Sequence, residues 1–118
     1  MPHVILIEAD ALVRKLLEKR LLAANWTVTA LSNTNNLILT IWAEKPDLII
    51  LEFTPQAVGI GPLATIRSLG MNTPVIVVTS FDITLLDESL LGNVANEVIQ
   101  KPYDQEDLLQ RMQGLIAA

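Results

Sequence analysis

The chain has 118 residues, 51% of them apolar and 4% aromatic, with one histidine, no cysteine and a net charge of −5. That is one domain's worth of chain, enough to bury about two-thirds of the unfolded surface around a core of Leu, Ile and Val. The missing cysteine excludes disulfides, thiolate zinc sites and cysteine nucleophiles, the lone His3 argues against His-rich metal sites and a Ser-His-Asp triad, and the acidic balance argues against a grip on nucleic acid.

No apolar run approaches the roughly 20 residues of a membrane helix. Met1-Pro2-His3 lacks the basic segment and cleavage site of a signal peptide, so a soluble cytoplasmic protein is expected. The charges are segregated. Arg14, Lys15, Lys19 and Arg20 are four of the 8 basic residues. From Asp82 to Asp107 the only cation is Lys101, against Asp82, Asp87, Glu88, Glu97, Asp104, Glu106 and Asp107. These are either two solvated helix faces or two partner-facing surfaces of opposite sign.

Val4 to Ile7 is wholly apolar and reads as a buried strand ending in Glu8-Ala9-Asp10. Asp10 is a plausible N-cap for a helix that places Leu12, Val13, Leu16, Leu17, Leu21 and Ala24 inward. Asn25 ends it, and Trp26 to Leu31 suits a second strand. Ser32-Asn33-Thr34 offers caps for a helix through about Glu44, with Leu37, Ile38, Ile41 and Trp42 inward. Lys45-Pro46 closes that helix, because the residue before proline disfavours helical geometry.

Leu48 to Leu51 is apolar on both faces and runs into Glu52. Such a strand needs cover on both sides, the habit of a parallel sheet between helices, and groups just beyond its carboxyl end are where ligands sit. Phe53 to Gly61 is irregular. Pro62 can open a helix running through Leu63, Ile66 and Leu69 to a stop at Gly70. Val75 to Val78 is a fourth strand followed by Thr79-Ser80. A weaker helix spans Asp82 to Leu91, stopping at Gly92. Glu97 to Gln100 is a short fifth strand followed by Lys101-Pro102. Asp104 caps a last helix with Leu108, Leu109, Met112 and Ile116 inward. Strand and helix alternate five times, which means a parallel sheet covered on both sides.

All strand ends of a parallel sheet open on one edge. That edge collects Glu8, Ala9, Asp10, Glu52, Thr79, Ser80 and Lys101, a set suited to an oxygen-ligated cation beside a phosphoryl or other anion. Each residue also has a plainer explanation, since Asp10 can cap a helix, Thr79 can close a strand, and Lys101 can neutralise Glu52 or Glu8.

With these residues in place, the chain resembles the receiver domain of two-component response regulators, the CheY-like family, over residues 1–118. The resemblance rests on Val4-Ile5-Leu6-Ile7 with its acidic cluster, Leu12-Val13-Arg14, Pro46-Asp47-Leu48-Ile49-Ile50-Leu51, Pro74-Val75-Ile76-Val77-Val78-Thr79-Ser80 and Lys101-Pro102-Tyr103-Asp104. It implies a flavodoxin-like (βα)5 three-layer sandwich with strand order 2-1-3-4-5. It also implies an acceptor aspartate ending the third strand and a magnesium-binding acidic pair after the first. A hydroxyl residue and a lysine contact the phosphoryl oxygens, and the Lys-Pro bond is often cis, making Pro102 the candidate.

Carried over residue by residue, that site is altered. Glu52 occupies the acceptor position, Thr79 and Lys101 match the phosphate contacts, and Glu8 matches the first acidic ligand. Ala9 replaces the second ligand, Asp10 offers partial compensation, and Val98 occupies the position of the aromatic switch residue. An extra methylene moves the Glu52 carboxylate by about 1 Å, and such misplacement costs phosphoryl transfer about a hundredfold. Loss of an oxygen ligand at Ala9 weakens magnesium, which tolerates missing ligands poorly. The expectation is an atypical, phosphorylation-independent pseudo-receiver in two-component phosphorelay signalling, an interaction module rather than an enzyme, with no cofactor or only weak magnesium. The alternative is a receiver that is still phosphorylatable, with Glu8 and Asp10 holding magnesium and a phosphoryl switch retained. A flavodoxin-like cofactor binder would need a phosphate-cradling loop where this chain has Glu8-Ala9-Asp10. Glu52 and Lys101 form either an ion pair mimicking an activated site or a purely structural one. The expected partners are proteins: a kinase, an output domain or a second receiver. The acidic face is one candidate surface and the basic helix around Lys15 another; a homodimer through residues 82–118 has only Lys101 and Arg111 as local cations.

Overall fold

The five strands expected from the sequence form one parallel sheet in a computed structural model that describes residues 1–53, 61–81 and 94–117. The strands are β1 His3–Ile7, β2 Thr27–Leu31, β3 Leu48–Phe53, β4 Val75–Thr79 and β5 Glu97–Gln100. The helices are α1 Ala11–Ala23, α2 Leu37–Glu44, α3 Gly61–Ser68 and α4 Gln105–Ala117. Sheet order is β2-β1-β3-β4-β5, the flavodoxin-like order that the family resemblance implied. The helix expected over Asp82 to Leu91, its stop at Gly92 and the irregular stretch from Thr54 to Ile60 lie outside the described residues.

Side chains alternate across the sheet and divide the core in two. On one face Val4, Leu6, Leu48, Ile50, Ile76 and Val78 pack with Leu17 and Leu21 of α1 and Leu108 and Met112 of α4. On the other, Ile5, Ile7, Ile49, Leu51, Val75 and Val77 pack with Leu37 and Ile41 of α2 and Leu63 and Ile66 of α3. The central strands are apolar on both sides because both sides are covered.

Local chemistry sets the helix ends. Asp10 Oδ1 accepts from the amides of Leu12 and Val13 at 2.9 and 3.0 Å, opening α1. At its far end Asn25 adopts a left-handed backbone with φ 70°. Asn25 N then donates to Leu22 O and Trp26 N to Leu21 O, both at 3.1 Å, a Schellman pair that delivers buried Trp26 into the core. The same arrangement closes α3: Gly70 has φ 81°, its amide donates to Arg67 O, and Met71 N donates to Ile66 O, both at 3.0 Å. Asp104 Oδ1 accepts from Glu106 N at 3.0 Å, and Glu106 and Asp107 place negative charge in the first turn of α4, where the helix dipole favours it.

Four expectations need correction. Leu12, Val13 and Leu16 are exposed, so α1 buries only Leu17 and Leu21. Trp42 is exposed as well, although Leu37 and Ile41 point inward. Leu69 lies past the end of α3 and is exposed. Helix α2 starts at Leu37 after Asn36, whose side chain makes no cap hydrogen bond; Asn33 Oδ1 instead accepts from Asn35 N at 2.9 Å in the preceding turn. Leu109 and Ile116 are partly buried.

At Gly70 a Cβ would meet nothing within 4 Å, so the cost of a side chain there is the left-handed backbone alone. Gly70→Ala is expected to lower stability by about 1–2 kcal/mol, measured by urea denaturation. No change would mean that the turn after α3 is not held in that conformation.

Candidate functional site at the carboxyl edge of the sheet

Strands β1, β3 and β5 deliver Glu8, Glu52 and Lys101 to one edge. Each strand is placed by its apolar residues, so the polar residue at or beyond its end arrives there whatever its own preference. Lys101 Nζ lies 2.8 Å from Glu52 Oε1 and 3.6 Å from Glu8 Oε1. The side chains are 27% exposed for Lys101, 10% for Glu52 and 5% for Glu8. One ammonium thus serves two nearly buried carboxylates.

The electrostatics follow from that ratio. Burial pushes the Glu52 carboxyl above its ordinary value; the hydrogen bond to Lys101 opposes the rise and the Glu8 charge adds to it. Burial works against the Lys101 ammonium, but the bond and charge of Glu52 and the charge of Glu8 outweigh it, leaving its pKa raised. The Tyr103 phenol is also raised, chiefly by burial. Glu8, Glu52, Lys101 and Tyr103 close, with Leu6, Ile50 and Val78, around a remaining cavity of about 10 Å³, which is about one water molecule's space.

The other expected site residues are placed differently. Asp10 is exposed and its Oδ1 is taken by the α1 amides; its own amide faces Glu8 Oε2 at 3.4 Å. Ala9 contributes no ligand side chain. Thr79 is fully buried, and its hydroxyl accepts from Phe81 N at 3.1 Å. Val98 pairs with Val77 in the sheet and packs against the α2–α3 side of the core. The Lys101–Pro102 bond is cis.

Few side-chain oxygens here are free to ligate magnesium, which seeks octahedral oxygen coordination completed by water: Glu8 faces an ammonium, Asp10 Oδ1 caps a helix and Ala9 carries no ligand atom. Among the described residues no three His, Asp or Glu side chains converge in a way that could hold a metal.

The sequence alone reads Arg14 as one member of a basic group. Its Nη1 in fact donates to Glu8 O at 2.8 Å and Ala9 O at 3.4 Å, clamping the β1–α1 turn. The available signal is position: a long side chain in the first turn of a helix points back toward the helix start. Arg111 pairs within its own chain, to Glu97 and Asp107 at 3.1 Å each, so both local cations of the expected 82–118 dimer face are engaged internally.

Comparison with known proteins agrees with this geometry. The family model for the response regulator receiver domain matches residues 4–113. The chain is 30% identical over 110 residues to the transcription factor SKN7 of Candida albicans, covering 90% of this chain and 19% of that protein. It is 26% identical over 115 residues to the response regulator MprA of Mycobacterium ulcerans, covering 97% of this chain and 50% of that one. The chain therefore spans half or less of these relatives' length. Among solved structures, the receiver domain of Francisella response regulator 1452 superposes with TM-score 0.88 at 21% identity, covering 99% and 98% of the two chains. The BeF3-activated N-terminal receiver domain of Klebsiella pneumoniae RstA gives 0.82 at 23% identity, covering 98% and 99%. These structural likenesses carry the fold, and the family match carries the membership: the chain belongs to the response regulator receiver domain family.

Proposed function

We propose that this receiver domain acts in two-component signalling as a regulatory interaction module that is not switched by phosphorylation. The observation that carries the reading is the ion triad, with Lys101 Nζ 2.8 Å from Glu52 and 3.6 Å from Glu8. Phosphoryl transfer depends almost wholly on positioning and on offsetting charge. Here the acceptor carboxylate is one methylene longer than the family's aspartate and already bonded to an ammonium. The metal-ligand position is Ala9, and the switch position, Val98, is a partly buried aliphatic side chain packed against the core. Val98 offers no ring to move between exposed and buried states, which favours a structural role for the triad over mimicry of an activated site. The triad then serves to join β1, β3 and β5, while function rests on protein contacts with a kinase, an output domain or another receiver. No helix among the described residues is long and apolar enough to cross a membrane.

Incubation with acetyl phosphate and magnesium is expected to leave the protein without added phosphoryl mass. Glu52→Asp alone is also expected to stay unlabelled, whereas Ala9→Asp combined with Glu52→Asp gains labelling, read by intact-mass spectrometry. Labelling of the unaltered protein on Glu52 would contradict the proposal.

Lys101→Met leaves two nearly buried carboxylates facing each other. Breaking such a pair costs about 3–5 kcal/mol when fully buried, and about 2–3 kcal/mol is expected at this partly open site. The raised Glu52 pKa sets the sign: its proton is held more tightly in the folded state, a contribution present below 4.5 and lost as pH rises through the folded value. The variant's deficit is therefore largest at neutral pH and shrinks toward about pH 4.5. Urea denaturation at both pH values measures it, and a deficit unchanged with pH would count against an ionised triad.

A further inference from the structure

A second hollow lies beside the triad. It measures about 510 Å³ and is lined by Arg20 of α1, Ser80 just beyond β4, Lys101, Pro102 and Tyr103 of the β5–α4 connection, and Gln105 at the start of α4. That volume falls in the range of small-molecule pockets. Among the described residues no Asp or Glu lines it.

Its hydrogen bonding is unfinished. Arg20 Nη1 donates to Gln105 Oε1 at 2.8 Å, and among the described residues that is the guanidinium's one partner. A neutral amide oxygen is a poor match for a guanidinium, whose bonds to a carboxylate or phosphate are roughly twice as strong. The other end of the same amide, Gln105 Nε2, is buried with no hydrogen-bond partner, and a buried donor left unpaired is destabilising. The lining adds two hydroxyls, Ser80 and Tyr103, and burial keeps the Tyr103 phenol protonated at neutral pH. Lys101 is not a free cation, because Glu52 and Glu8 hold its ammonium. The positive charge open to a ligand is that of Arg20.

We propose that this hollow binds a small organic oxyanion, a carboxylate or phosphoryl group carried on a compact apolar body. The anion replaces Gln105 Oε1 as the acceptor of the Arg20 guanidinium, whose planar fork matches two oxygens of such a group. The released Gln105 amide then turns and donates Nε2 to the same ligand, ending its burial without a partner. The Pro102 ring and the aromatic ring of Tyr103 give the body of the ligand an apolar surface, so a bare anion fills the hollow poorly. None of the triad's charge is used, and the proposal does not rest on the reading of that site.

Phenylphosphonate is the first probe, because its carbon–phosphorus bond keeps the phosphoryl group from passing to Glu52. Benzoate and inorganic phosphate complete the set. NMR titration without magnesium follows the backbone amides, the Arg20 Nε–H and the Gln105 side-chain amide. The expected result is saturable binding of phenylphosphonate or benzoate at about millimolar or below. Shifts centre on Arg20, Ser80, Tyr103 and Gln105, and inorganic phosphate binds about tenfold more weakly or less. Whichever aryl anion binds more tightly tells a phosphoryl ligand from a carboxylate. Arg20→Met weakens binding about tenfold or more, whereas Lys15→Met on the same helix leaves it unchanged, and circular dichroism confirms that both variants are folded. No saturation by about 10 mM, binding that survives Arg20→Met, inorganic phosphate binding as tightly as the aryl anions, or shifts centred on Glu8 and Glu52 would each overturn the proposal.

Discussion

A single ammonium is shared by two carboxylates at the edge where three strands of this sheet end. The apolar strands determine where Glu8, Glu52 and Lys101 arrive, and they arrive nearly out of water. A carboxylate left unpaired at that depth is costly. Lys101 can serve two only because β5 ends beside β4 and its side chain reaches across to β3 and β1. The tight cavity, the raised Glu52 and the shared ammonium are consequences of one geometric fact. In this receiver domain an internal cation, the Lys101 ammonium, lies between the two carboxylates.

Much of this was legible in the residues. Leu48 to Leu51, apolar on both faces, required a sheet covered on both sides, and short connections required parallel strands; Glu52, Glu8 and Lys101 then fell on one edge. Asn25 and Gly70 marked the ends of two helices, where the chain takes a left-handed backbone. What could not be read was which apolar residues a helix leaves outside. Helical spacing puts Leu12 and Leu16 on a stripe with Leu17 and Leu21, and Trp42 beside Ile41, yet the sheet is wide enough to cover only part of each stripe. Trp42 looked like core because large apolar side chains usually are. Asp10 was ambiguous for another reason: a carboxylate at a helix start serves amides or a metal equally well, and only the distances from Oδ1 to two α1 amides separate the two.

The two ends of the sheet thus carry different kinds of surface. The carboxyl edge is polar and compact, its two carboxylates sharing one ammonium. The opposite edge, where α2 and α3 turn back into β3 and β4, presents Trp42, Leu39 and Leu69 to solvent.

The most direct test of the central claim is an amide-resolved NMR titration with magnesium followed by beryllofluoride, a phosphoryl mimic. With the ammonium already between the carboxylates, the amides of Glu8, Glu52, Thr79 and Lys101 are expected to hold their positions at about millimolar magnesium and after the mimic is added. Saturable shifts that begin at those residues and spread along β5 would contradict the account and show a switch that still works.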